Sequence, residues 1–158
     1  MGKDSQFVDL INQHKGVINK VVFLYADNSE DRKDLRQEII SQAWGAFNSF
    51  RGHSKFSTWL YRVAMNVAIS SFKHHNKRKG LSIKLNTSDS SSGSSSTELL
   101  EHILRILNPI EKSVVLLQIE GYTQPEIAHI LGLSNVNTRT KIYRIRKKLR
   151  KHGIDQLT

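Results

Sequence analysis

The chain has 158 residues, no cysteine, and 24 Lys and Arg against 14 Asp and Glu, which gives a net charge of +10. This charge favours a polyanionic partner, either nucleic acid or an acidic membrane surface. The absence of cysteine excludes disulfides, thiolate metal sites and cysteine nucleophiles. The N-terminal MGKDSQFVDL carries charges where a signal peptide needs an apolar run, and no stretch is long enough to span a bilayer. We therefore expect a cytoplasmic protein without membrane insertion.

Composition and periodicity predict an all-α fold, because the chain has only two prolines and little alternation of β-branched residues. Apolar residues from Phe7 to Tyr25 recur at three- and four-residue spacing and predict one amphipathic helix, which the polar stretch 27–33 interrupts. Apolar positions from Leu35 to Phe47 predict a second helix. After a break at Gly52, a third helix carries apolar residues from Trp59 to Ala68 on one face. The first lobe should therefore hold three to four helices.

A low-complexity segment, NTSDSSSGSSST at 86–97, follows the basic end of the third helix. It has almost nothing to bury and predicts a flexible linker. The expected organisation is a first lobe at 1–80, a linker at 81–97 and a second small helical lobe at 98–158.

Three start signals predict the helices of the second lobe. Asn108 to Glu111 reads NPIE, which supplies an N-cap, a proline at the first helical position and a glutamate that would complete a capping box. Thr123 and Glu126 repeat the capping box. Ser134 can cap the last helix, which runs into RIRKKLRK.

The segment from Thr123 to Tyr143 has the spacing of a helix-turn-helix. Ala128 is small where two helices must cross closely, and Gly132 supplies a turn in which a positive φ is cheap only for glycine. Thr138 stands where such units usually bury Val or Ile, although its methyl group can still pack. A solvated basic helix, or a helical hairpin without a role in DNA binding, remains the alternative.

If the hairpin binds DNA, the outward face of its second helix should enter the major groove, where Asn and Arg can make bidentate contacts to base edges. The candidate base-reading residues are Asn135, Asn137, Arg139, Thr140, Lys141 and Arg144. Basic residues further along the helix should contact phosphates, which strengthens binding without selecting sequence. They are Arg146, Lys147 and Lys148.

Two separate motifs resemble bacterial sigma factors of the extracytoplasmic-function (ECF) group. The stretch from Asp34 to Lys79 carries DLxQE, AW, FRG and FxTWLYRxA, and it resembles their region 2. The second lobe, LNPIEKSVVLLQIEGYTQPEIAHILGLS through RIRKKL, looks like their region 4. The lobes follow the family's order. The resemblance implies a two-domain, all-α subunit of RNA polymerase that needs no cofactor, no metal and no catalytic residues.

The resemblance also implies sites in the first lobe. The DLxQE helix of sigma factors docks on the clamp helices of the polymerase β′ subunit, which assigns that contact to Asp34, Leu35, Gln37, Glu38 and Gln42. The loop and third helix recognise and melt the −10 element, while region 4 reads the −35 element and meets the β flap. The implied −10 contacts are Asn48, Arg51, His53, Ser54, Lys55, Tyr61, Arg62, Met65, Asn66 and Lys73.

The leading hypothesis is a sigma factor that directs promoter-specific initiation and is held inactive by an anti-sigma factor. The alternative is a polymerase-independent helix-turn-helix regulator, which would leave DLxQE and FRGHSKFSTWLYR without a role. An enzyme finds no support, because the sequence shows no Gly-rich phosphate loop, no metal-ligand spacing and no nucleophile with a base.

Overall fold

A computed structural model describes residues 2–78 and 95–155, with side chains described for 2–74 and 98–155. Most of the predicted linker lies outside these ranges. The chain divides into two compact units, the first with residues 1–74 and 129–132 and the second with residues 75–128 and 133–158. Within the described residues every regular element is helical, as predicted: α1 Lys3–Gln13, α2 Lys15–Tyr25, α3 Ser29–Ala46, a 3-10 turn Phe47–Ser49, α4 Phe56–Arg78, α5 Ser95–Ile106, α6 Pro109–Ile119, α7 Gln124–Leu131 and α8 Asn135–Lys151.

The first amphipathic stretch forms two helices, so the prediction of one helix was wrong. The break is at His14, whose φ of −115° and ψ of 26° leave the helical region. Its backbone N–H is shared between the carbonyls of Leu10 and Ile11 at 3.1 Å, and its Nδ1 lies 2.8 Å from Leu10 O. The nearby Gly16 adds a poor helix former. Apolar periodicity continues across the break and therefore hides it.

The core of the first unit lies between α2, α3 and α4. Val21, Ile39, Leu60 and Ala64 are fully buried there. The predicted polar interruption is shorter than expected, because Asn28 caps α3 by accepting a hydrogen bond from the backbone N–H of residue 31 at 2.8 Å. The helix therefore begins within the polar stretch.

The second unit shows the predicted helix starts. Asn108 Oδ1 accepts from the N–H of Glu111 at 2.9 Å, and Ser134 Oγ accepts from the next helix at 3.1 Å. Thr123 and Glu126 form the predicted capping box, with Thr123 N donating to Glu126 Oε1 at 3.1 Å. Helix α5 begins at Ser95, three residues before the predicted lobe boundary. An acidic Glu98 in the first turn favours this earlier start through the helix dipole.

Candidate nucleic-acid interface

The hairpin of α7 and α8 has the turn that a helix-turn-helix requires. Gly132 adopts a φ of +66°, which an L side chain rarely adopts. The N–H of Leu133 then donates to Ala128 O at 2.9 Å and closes the end of α7. Ala128 is buried, as expected where two helices cross. These features confirm the predicted helix-turn-helix geometry.

Thr138 lies in the packed face of α8 with no exposed surface. Its Oγ1 donates to the backbone carbonyl of Ser134 at 2.9 Å, so the hydroxyl is satisfied within the helix. The methyl group can therefore pack where related hairpins bury Val or Ile. This removes the main objection that the sequence raised against the hairpin.

The candidate base-reading residues lie on the accessible part of α8. Four buried residues at helical spacing form its packed stripe: Thr138, Ile142, Ile145 and Leu149. Five of the candidates are exposed and Lys141 is half-buried, so all six lie outside the packed stripe: Asn135, Asn137, Arg139, Thr140, Lys141 and Arg144.

Sequence reasoning missed two side chains on the same face. Val136 is 70% exposed and Tyr143 is 64% exposed, both unusually high values for apolar or aromatic residues. At about 100° per residue, both project roughly opposite the buried stripe. A helical wheel drawn from the buried positions would have found them, whereas a search for polar base-reading side chains passed over them.

Of the three predicted phosphate contacts, Lys148 has a different role in this structure. Its Nζ lies 2.6 Å from Glu111 Oε1 and 3.1 Å from Oε2, although the lysine side chain keeps 44% of its surface exposed. The Asn108 half of the predicted capping box is formed, with Asn108 Oδ1 accepting from the Glu111 N–H at 2.9 Å, but the Glu111 carboxylate pairs with Lys148 on α8. Arg146 and Lys147 are exposed.

A hollow of about 340 Å³ opens beside α8 in the second unit. Polar residues and apolar or aromatic residues line it in about equal measure: Gln118, Tyr122, Gln124, Arg139 and Arg146, with Ile127, Ile142 and Tyr143. The two arginines give this hollow a positive charge, which suits an anionic group such as a phosphate.

In the first unit, the DLxQE helix presents a polar face. Asp34, Gln37, Glu38 and Gln42 are exposed on α3. Leu35 differs from them, because it is only 6% exposed and packs in the core. An apolar anchor for a partner is therefore not available at Leu35, and the accessible contact surface reduces to the four polar residues.

The loop before α4 exposes the predicted pocket residues Asn48, Arg51, His53, Ser54 and Lys55. Asn48 Oδ1 also accepts a hydrogen bond from Lys3 Nζ, which ties this end of the loop to α1.

Aromatic rings hold both ends of this loop. Phe50 lies 5.5 Å from Phe56 and 5.5 Å from Trp59, measured between ring centroids. Phe47 packs against the same group. Trp59 is half-buried in this cluster. The cluster therefore fixes the ends of the loop while its polar side chains stay accessible.

On α4, exposure divides the predicted strand contacts into two groups. Arg62, Asn66 and Lys73 are exposed, and at about 100° per residue they lie within about 40° of one another. Tyr61 is only 2% exposed and Met65 is fully buried. Positions 60, 61, 64, 65 and 68 form the buried stripe, so Tyr61 and Met65 belong to the core and present no surface to a DNA strand.

No helix in the described part is long and apolar enough to cross a membrane. Likewise, no group of three or more His, Asp or Glu among those residues is placed to hold a metal ion.

Known protein families match both parts of the chain that carry these surfaces. The sigma-70 region 2 family matches residues 10–78, and the sigma-70 region 4 family matches residues 97–149. Together they span more than half of the chain. The chain belongs to the ECF group of the sigma-70 family. It is a sigma factor for promoter-specific transcription initiation.

Individual relatives agree with this assignment over most of the chain. RNA polymerase sigma factor YlaC of Bacillus subtilis is 29% identical, with 91% of this chain and 90% of the relative covered. The ECF RNA polymerase sigma factor SigW of Bacillus subtilis is 25% identical over 95% of this chain and 90% of the relative. The ECF RNA polymerase sigma-E factor of Escherichia coli strain K12 is 26% identical over 94% of this chain and 86% of the relative.

Two solved structures share the fold. The sigma factor RpoE in complex with the anti-sigma factor NepR from Bartonella quintana has a TM-score of 0.73 at 18% identity, covering 92% of this chain and 95% of that one. CnrH in complex with the cytosolic domain of CnrY has a TM-score of 0.67 at 24% identity, covering 95% of this chain and 88% of that one.

Proposed function

We propose that this sigma factor binds core RNA polymerase through α3, reads the −35 element with α8 and melts the −10 element with the loop before α4 and with α4 itself. It would act in the cytoplasm, where the polymerase meets the chromosome. The observation that carries the proposal is the separation of three accessible polar surfaces over two packed units, each on the segment that matches the corresponding sigma region.

The −35 assignment rests on the chemistry of α8. The helix contains eight Lys and Arg and no acidic residue. Its first turn is held by Ser134 and projects Asn135 and Asn137, and a helix-turn-helix places this end of its second helix against base edges. Arg146, further along the helix, borders the hollow and is assigned to the DNA backbone, whereas Arg139 is assigned to base readout. The helix can therefore combine base readout near its start with backbone contacts along its length.

The −10 assignment rests on the loop before α4. Its polar side chains are exposed above a fixed aromatic cluster, so a base extruded from the duplex can be held without reorganising the core. Arg62 and Asn66 continue this surface along α4. Holding each exposed base can return about 1–3 kcal/mol, which offsets the few kcal/mol that unstacking each step costs.

The polymerase contact is assigned to α3. Asp34, Gln37, Glu38 and Gln42 offer carboxylates and amides on one accessible face, a set suited to directional polar contacts. We propose the clamp helices of the β′ subunit as the partner of this face and the β flap as a partner of the second unit. With both units held on one polymerase, the second promoter contact becomes effectively intramolecular and gains strength without new contacts.

An anti-sigma factor completes the proposed set of partners. Two structures of similar fold, RpoE and CnrH, were solved as complexes, and the partner of RpoE is named as the anti-sigma factor NepR. Such a partner would act by covering the α3 face and the α8 face, since both are exposed here.

The test is reconstituted transcription. The purified chain is added to core RNA polymerase with a library of promoter fragments, and run-off transcripts are sequenced. Promoter-specific transcripts with two separated conserved elements are expected. If the chain never supports initiation, yet binds duplex DNA alone with tight sequence preference, the proposal is wrong.

A variant separates the two elements. Arg139→Ala or Lys141→Ala should lose activity most at promoters that depend on particular −35 bases, while the −10 preference is kept. Uniform loss across all promoters would make these residues phosphate contacts instead.

A further inference from the structure

The first two turns of α8 carry an apolar surface in the middle of a basic helix. Val136, at 70% exposed, is the most exposed of the large apolar side chains in the described residues. It lies between Asn135 and Asn137 in the capped first turn. An exposed valine gains little free energy from burial and has a lower helix propensity than alanine, so folding alone gives no reason for it here.

Thr140 extends this surface by one turn. Its Oγ1 donates to the backbone carbonyl of Val136 at 3.0 Å, so the hydroxyl faces the preceding turn of the helix. Thr140 is nevertheless exposed. The hydroxyl proton is used by the backbone, and the methyl is the apolar group that Thr140 adds to this surface. Val136 and Thr140 are four residues apart and therefore adjacent on the helix surface.

The position of this surface indicates its occupant. Val136 and Thr140 project roughly opposite the buried stripe of α8, and their cationic neighbours are Arg139, three residues after Val136, and Arg144, four residues after Thr140. The surrounding positive charge favours a polyanion, and the DNA phosphates on both sides of the major groove supply that negative charge. In that groove, the apolar group that a base pair displays is the C5-methyl of thymine.

We propose that Val136, assisted by the methyl group of Thr140, selects thymine by contacting its C5-methyl group in the −35 element. This inference rests on the proposed function and deepens it. It assigns base selection at one or two neighbouring positions to an apolar contact, beside the polar contacts of Asn135, Asn137 and Arg139.

Deletion of the methyl group from the DNA provides the test. Each thymine of a −35 element selected by run-off transcription is replaced singly by deoxyuridine, which keeps the pairing and every hydrogen-bonding atom. Binding of the holoenzyme to each duplex is measured for the wild type and for Val136→Ala. The substitution suits an exposed helix, because alanine has the higher helix propensity.

At one or two adjacent thymines, removal of the methyl group should lower the affinity of the wild-type holoenzyme about fourfold. This factor corresponds to the free energy of burying one methyl-sized group. Val136→Ala should lose about the same on the thymine duplex and should not distinguish thymine from deoxyuridine. Thr140→Ser should lose sensitivity at a neighbouring thymine, while Thr140→Val should keep it.

A matched control is Ile119→Ala, which removes another highly exposed apolar side chain, on α6 in the same unit. It should leave the response to every deoxyuridine unchanged. Loss of the methyl response in this control would overturn the assignment to Val136.

The two levels of the proposal fail differently. If promoter use stays specific but no thymine responds to loss of its methyl, or the selected −35 element contains no thymine, the contact proposed here is wrong and the proposed function stands. Absence of any promoter-specific transcript would overturn the proposed function, and the thymine contact with it.

Discussion

Glu111 and Lys148 join α6 to α8 by an ion pair, with Lys148 Nζ 2.6 Å from Oε1 and 3.1 Å from Oε2 of the carboxylate. The two ends of the pair differ in environment, because Glu111 is buried while the lysine side chain is 44% exposed. A buried carboxylate needs a partner more than a solvated ammonium does. This pair therefore fixes the orientation of α8, the helix that carries the proposed −35 contacts, against its support.

The first prediction concerns the stability of the second unit. Lys148→Met leaves the Glu111 carboxylate buried without its cation, and should destabilise the unit by about 1–2 kcal/mol, a value discounted for the exposure of the lysine. The double variant Glu111→Gln with Lys148→Met should recover part of this loss. Native-state hydrogen exchange of amides in α6 and α8 reports the unit separately. As a control, Lys147→Met at the exposed neighbouring position should change the stability of the second unit by less than about 0.5 kcal/mol.

The second prediction separates phosphate contacts from structural cations. Each lysine or arginine that neutralises a phosphate contributes about 0.9 to the slope of log affinity against log salt concentration. Arg146→Met and Lys147→Met should each reduce the slope of holoenzyme binding to promoter duplex by about that amount. Lys148→Met should leave the slope unchanged, because its charge is engaged by Glu111. An equal reduction for all three would return Lys148 to the phosphate contacts.

The sequence predicted best those features that depend on a local requirement of the backbone, which only a few residue types can meet. Asn108, Thr123 and Ser134 were recognised as caps because each offers a side-chain oxygen to a free backbone N–H, a local requirement. Gly132 was recognised for the same kind of reason, since its positive φ is a local property. These features determined the helix starts and the hairpin turn.

Predictions that depended on the direction of a side chain were less secure. Leu35, Tyr61 and Met65 were assigned to contacts by motif position, but each lies on the stripe of its helix that faces the core. Glu111 was assigned to a local cap and instead binds a residue 37 positions away. Such contacts depend on how helices pack, and neither periodicity nor a family motif determines the pairing of two distant side chains.

The third prediction concerns Thr138. Its hydroxyl donates to Ser134 O, which already accepts the N–H of the same residue at 3.0 Å. Thr138→Val therefore leaves that carbonyl bonded and removes a buried hydroxyl, and should raise the stability of the second unit by up to about 1 kcal/mol. Thr138→Ser keeps the hydroxyl and removes the methyl, and should lower stability by about 1 kcal/mol. Hydrogen exchange in α8 measures the stability of both variants. If Thr138→Ser were the more stable of the two, the hydroxyl would contribute more to stability than the packing of the methyl group.

The fourth prediction divides α3 into its core side and its contact side. Leu35→Ala removes a buried side chain and should lower the stability of the first unit by about 2–4 kcal/mol. Glu38→Ala removes an exposed carboxylate and should change stability by less than about 0.5 kcal/mol, yet weaken binding to core polymerase about tenfold. Thermal unfolding and competition for core polymerase measure the two effects. Unchanged polymerase affinity in Glu38→Ala would exclude this face as the docking surface.

The fifth prediction tests which side of α4 meets the melted strand. Arg62 and Asn66 are exposed on one face, so Arg62→Ala and Asn66→Ala should each reduce open-complex formation about tenfold, within the range expected for losing contact with one unstacked base. Permanganate reactivity of unpaired thymines in the −10 element measures the effect on a fixed promoter with the full holoenzyme.

The control for this experiment is Met65→Leu, one position away from Asn66. Met65 is fully buried, so a substitution that nearly conserves volume should cost less than about 1.5 kcal/mol of stability and leave permanganate reactivity unchanged. If Met65→Leu instead lowered reactivity as much as Asn66→Ala while the first unit stayed folded, the DNA-facing side of α4 would include Met65. Helix α4 would then have to rotate or open when it engages the promoter, because its buried stripe also holds Leu60 and Ala64.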